Sequence, residues 1–130
     1  MLKSIFFRIS FISWMVLVTF SSLFSFSGVD TEGIDIPHFD KIVHFAFYFG
    51  MVVLGVLASR EHLKEHFVLK KVLLVVFVFA VIYGMVIEVL QYSMTVDREG
   101  DILDVLANTF GAFVGMYLVR WLVYRIWPLK

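Results

Sequence analysis

Four stretches of the chain carry almost no charge, and short polar segments separate them. The first follows Arg8: no charged residue occurs from Ile9 to Val29, and the polar stretch SSLFSFSG toward its end predicts a helix over about 9–27. The second, 42–59, contains no Lys, Arg, Asp or Glu and a single histidine, His44. The third follows Lys70 and Lys71; it is apolar from Val72 to Ile87, is interrupted by Glu88, and continues to give a helix over 72–91. The fourth, 102–123, has Asp104 and Asn108 in its first turns and Arg120, Trp121, Tyr124 and Trp127 at its far end, as an interfacial belt should. About 20 residues of helix cover the roughly 30 Å of a bilayer's hydrocarbon core. The β-branched residues of the third stretch (Val72, Val75, Val76, Val78) would also suit a buried strand, but strands rarely exceed about ten residues. A lipid-exposed open sheet would leave backbone groups unsatisfied. The pattern therefore predicts an all-α fold, an integral membrane bundle of four transmembrane helices forming a single domain over 1–130. Its connections are 27–41, 60–71 and 93–101.

Composition points the same way. Hydrophobic types make up 61% of the 130 residues and charged types 17%, with a mean hydropathy of +0.91. Such a chain is too apolar for disorder, and a small soluble domain of this composition would leave much apolar surface wet. It has no cysteine, which excludes disulfides and cysteine-zinc sites. A formal net charge of zero gives no support to nucleic-acid binding. Lys3 and Arg8 resemble the start of a signal peptide, but the apolar run is longer than usual and lacks a clear cleavage site, so it reads as a retained helix.

Charge also orients the chain. Lys3, Arg8, Arg60, Lys64, Lys70, Lys71, Arg120, Arg125 and Lys130 fall at the termini and in the middle connection, leaving only Lys41 and Arg98 for the other side. The positive-inside rule then predicts both termini cytoplasmic.

The polar residues near the spans share one height. Asp40, Lys41 and His44 open the second helix, Glu88 and Gln91 close the third, and Asp101, Asp104 and Asn108 open the fourth, with Arg98 in the loop between. Spacings of three or four residues put each group on one helix face; Tyr48 continues the His44 face and Gly84 the Glu88 face. Gly111 and Gly115 extend the Asn108 stripe and suit close helix packing. Charged groups at membrane depth usually face a bundle interior, so this distribution predicts an outward polar cup.

Several chemistries fit these residue types. Lys41, His44 and Arg98 can face a phosphate, while Glu88, Asp101 and Asp104 can position those cations or hold a divalent metal. A histidine beside carboxylates can serve as a general acid or base, which makes His44, Glu88 and Asp104 candidate catalytic groups. Each also has an ordinary reading: Glu88 as a structural hydrogen-bonding group, Asp104 as a charge at a helix N-terminus, Asn108 as a link between helices. His38, His62 and His66 lie outside the cup. No HExxH, P-loop or dinucleotide fingerprint occurs; no metal site is assigned and no cofactor is expected. A pore is disfavoured, since the polar groups do not continue through the lower half of the spans.

Lys41, His44, Phe45 and Tyr48, then Tyr83, Gly84, Glu88 and Gln91, then Arg98, Asp101, Asp104, Asn108, Gly111 and Gly115 occur in an order and spacing that resembles the VanZ-like family of small bacterial membrane proteins. The resemblance covers 40–115; the first helix fits only in hydrophobicity and position. The segment between Gln91 and Arg98 lacks a proline often found there. The resemblance implies a multi-pass protein of the bacterial cytoplasmic (inner) membrane, from a family with some members tied to low-level glycopeptide resistance. It supplies no agreed reaction. The preferred expectation is binding or modification of an envelope lipid, with an anionic head group as partner, through Lys41, His44, Tyr48, Glu88, Gln91, Arg98, Asp101, Asp104 and Asn108. The alternatives are a membrane-embedded hydrolase using His44 and the carboxylates, and a structural subunit of a membrane complex.

Overall fold

The computed structural model describes residues 5–23, 39–94 and 102–125. Four helices account for nearly all of them: α1 (Phe6–Leu23), α2 (Phe39–Leu63), α3 (Leu69–Met94) and α4 (Ile102–Arg125). All four are long and apolar enough to cross a membrane. Their outward faces are apolar too: Ile12, Phe20, Leu74, Ile82, Val89 and Phe110 are each more than half exposed. Water would penalise such faces, whereas lipid tails match them. The chain is a multi-pass membrane protein.

The helices overrun the charge-free stretches that predicted them. Arg8 lies inside α1, and Arg60, Glu61 and His62 lie inside α2. Charge ends a hydrophobic span, but only backbone chemistry ends a helix. The reversal between α2 and α3 is correspondingly tight. A short 3-10 turn at Lys64–His66 follows α2, with Lys64 at φ 53°, a left-handed conformation of the kind that closes helix C-termini. The expected end of the first helix near 27 lies outside the described residues.

Glu61 explains where α1 begins. Its carboxylate accepts from the backbone N–H groups of Phe7 and Arg8 at 3.0 and 3.2 Å, and from the Arg8 guanidinium at 3.2 Å. The early N–H groups of a helix have no intrahelical acceptor, and a carboxylate there also complements the helix dipole. Here the cap comes from the last turns of another helix. Glu61→Ala should fray the first turn of α1, accelerating amide exchange at Phe7 and Arg8 by about tenfold or more. Hydrogen exchange by mass spectrometry measures this, and unchanged exchange would show that the cap contributes nothing.

Contacts between helix ends fix the directions. Arg8 early in α1 meets Glu61 late in α2, so these two run antiparallel. Lys41 early in α2 meets Asp104 early in α4, so those two run parallel. The most extensive packing in the bundle is this α2–α4 pair. Gly111 and Gly115 make it close. A Cβ on Gly111 would run into the Phe45 carbonyl, and one on Gly115 would lie 2.8 Å from the Phe49 carbonyl oxygen. Phe45 and Phe110 flank the contact with ring centroids 5.5 Å apart. On the other side of α2, Trp14 lies over Gly50 and donates its indole N–H to the Phe47 carbonyl at 2.8 Å. The buried core between the helices includes Val18, Tyr48, Met51, Val52, Val56 and Val119.

Candidate functional site

The first turns of α2, the last turns of α3 and the first turns of α4 converge at one end of the bundle. The close α2–α4 approach at Gly111 and Gly115 carries upward one to two turns, where it brings His44 and Lys41 against Asp104. The Lys41 ammonium donates to Asp104 Oδ1 at 2.6 Å, and His44 Nδ1 lies 3.8 Å from the same oxygen. Glu88 approaches from α3. One potential ligand atom from each of His44, Glu88 and Asp104 falls within 4.8 Å of the others, and all three residues are buried, at 6, 7 and 8% exposure. Polar groups this well enclosed in a chain with apolar outer faces are costly unless they interact with one another or with a ligand.

A second polar level lies one turn deeper. Tyr48 is four residues past His44, Asn108 four past Asp104, and Gly84 four before Glu88, so all three helices carry the site inward. Gly84 opens the space between them: a Cβ there would lie 3.2 Å from both Asn108 Nδ2 and Tyr48 Cε1. Tyr48 and Asn108 are fully enclosed, and the Tyr48 hydroxyl and Asn108 Oδ1 have no hydrogen-bond partner among the described residues. Next to Gly84, Tyr83 turns the other way. Its hydroxyl shares a hydrogen bond with Thr19, whose own hydroxyl donates to the Met15 carbonyl at 2.7 Å, so Tyr83 supplies the proton. This ties α1 to α3 beside the site.

The structure thus gathers Lys41, His44, Tyr48, Glu88, Asp104 and Asn108. Arg98 and Asp101 lie outside the described residues. Gln91 belongs to α3, and its side chain is likewise outside the description. The pairing of Lys41 with Asp104 was not legible as a contact, since 63 residues separate them. Glu61 was missed altogether; an acid among basic residues in a connecting segment reads as solvated, and its partners at Phe7 and Arg8 are 54 and 53 residues away.

A cavity of about 540 Å³ opens at the opposite end, between α1, α2 and α3. Phe11, Val75, Val76 and Phe79 line it together with Arg8, Ser59 and His62. The buried polar groups of three helices meet at the other end.

The chain matches the VanZ/LLP1 family over residues 2–124 and belongs to that family. The match includes α1, which the motifs of the second, third and fourth helices did not reach. No curated protein and no solved structure matches it.

Proposed function

We propose that this VanZ/LLP1 protein binds, and in binding presents or modifies, the phosphate-bearing head group of an anionic envelope lipid. The observation that carries this reading is the convergence of Lys41, His44, Glu88 and Asp104 from three helices at one end of an otherwise apolar-faced bundle. That end is where the charge bias between connections puts the outer surface of a bacterial cytoplasmic membrane, with both termini on the inner side. Head groups lie at that height. Asp104 holds the Lys41 ammonium in place, so that Lys41 and His44 would face the phosphate while Glu88 and Asp104 position them; Arg98, outside the described residues, is a further cation the sequence offers. Tyr48 and Asn108 offer hydrogen bonds beneath.

One geometric feature favours a second reading, a hydrolase. His44 Nδ1 lies 3.8 Å from Asp104 Oδ1, wider than a hydrogen bond, and a closer approach would let the carboxylate orient an imidazole that takes a proton from attacking water. The test compares Glu88→Ala and Arg98→Ala with wild type by native mass spectrometry of co-purified lipid, thermal unfolding and release of phosphate. Lipid binding predicts folded variants that retain no anionic lipid. Variants that keep their lipid but lose turnover would support the hydrolase instead. Variants that fail to fold, with wild-type protein that carries no lipid, would make the cup a packing device and remove the proposal.

A further inference from the structure

We infer that His44, Glu88 and Asp104 are the protein ligands of a divalent transition-metal cation such as Zn²⁺ or Mn²⁺. The three donors come from three different helices, which sets them apart from a run of surface acids. Ligand atoms at about 2.0–2.2 Å from one ion in tetrahedral geometry lie roughly 3.3–3.6 Å apart. The observed grouping, within 4.8 Å, is open by roughly an ångström, a gap that side-chain rotation within the cluster closes.

The donor set selects the ion. One imidazole nitrogen and two carboxylates suit Zn²⁺ or Mn²⁺; Ca²⁺ takes about six to eight oxygens, and copper(I) sites use sulfur. Three protein ligands also leave coordination positions for water or substrate, as in metal sites that act on a bound molecule. Lys41 is compatible with this role for Asp104. It bonds Oδ1, and a carboxylate has a second oxygen to offer the ion, so Lys41 acts as the outer partner that orients a ligand.

An independent observation lies one turn deeper. The Tyr48 hydroxyl and Asn108 Oδ1 are buried, at 1 and 3% residue exposure, without a hydrogen-bond partner among the described residues. Both residues lie against Gly84, one turn from Glu88. Native interiors rarely strand such groups unless water or an ion completes the site. Water held on the cation beside them would donate to both oxygens.

This inference rests on the lipid reading only for what the ion does: its open positions would meet the head-group phosphate. The experiment separates the two. Tag-free protein in detergent is stripped with chelator and titrated with Mn²⁺ or Zn²⁺ alone, without lipid. One equivalent should bind per chain, and the Mn²⁺ form should show nitrogen hyperfine coupling from an imidazole in pulsed electron paramagnetic resonance. His44→Gln should erase that coupling, and Glu88→Gln and Asp104→Asn should each weaken binding by about tenfold or more. No stoichiometric uptake, a wild-type spectrum without nitrogen coupling, or affinity unchanged in His44→Gln and Glu88→Gln would overturn the site. The wild-type spectrum decides even where a variant does not fold. Lipid retained by protein that takes up no metal would overturn this inference and leave the lipid reading standing. Metal uptake by protein that never retains lipid would do the reverse.

Discussion

Gly111→Val will separate α2 from α4 and cost about 3 kcal/mol of stability, at the upper end of what overpacking usually costs. The reason is the atom it meets. A Cβ at Gly111 falls on the Phe45 carbonyl, which is helix backbone and cannot rotate away. Relief requires moving one whole helix, and this pair makes the most extensive contact in the bundle. Lipid tails are as apolar as the side chains they would replace, so the loss is one of packing and no hydrophobic gain restores it. Gly84→Ala provides the contrast. Its Cβ would approach side-chain atoms of Asn108 and Tyr48 at 3.2 Å, which a shift of a few tenths of an ångström relieves. That variant should unfold near wild type while ligand retention falls. Equilibrium unfolding in mixed micelles measures the stabilities and native mass spectrometry the retained lipid, and a Gly111→Val protein as stable as wild type would show that the parallel α2–α4 contact is loose.

The same pair shows where sequence reasoning works and where it stops. Gly111 and Gly115 stand out as packing devices because their spacing puts both on one stripe of α4. Their partner does not stand out, because a spacing within one helix says nothing about which helix covers it. The partner is α2, parallel and two elements away. The height of the polar groups was readable for a related reason. With short connections and alternating directions, the start of α2, the end of α3 and the start of α4 share one level, and residues near those ends must lie near it. What was not readable was the rotation of each helix about its axis, which decides that Lys41 Nζ meets Asp104 and that Gly84 faces Tyr48 and Asn108. The start of α1 and the end of α2 lie beyond the charge-free stretches, whereas α4 begins at Ile102, where the pattern puts it. Arg8 and Glu61 are both charged and both helical, and they meet each other.

Removing one member of the Lys41–Asp104 pair should be as damaging as the glycine substitution, and removing both should be less so. The two side chains are mostly enclosed, at 21 and 12% exposure, with a 2.6 Å contact between them. Truncating one partner of a buried pair leaves an uncompensated charge and typically costs about 3–5 kcal/mol. Here the lower figure applies, because Lys41 sits at the start of α2 and its four-carbon stem can carry the ammonium toward water. Asp104→Leu and Lys41→Met should therefore each cost about 3 kcal/mol, and the double variant less than either, since buried pairs replaced by apolar groups of similar size are often neutral. A double variant destabilised by the sum of the singles would mean the two groups do not interact in solution. Because the double variant restores packing without restoring charge, it separates stability from chemistry: if the cup exists to bind an anionic head group, this protein folds and retains none. Had the pair served only to hold α2 against α4, methionine and leucine would do as well, and lipid retention would survive the exchange.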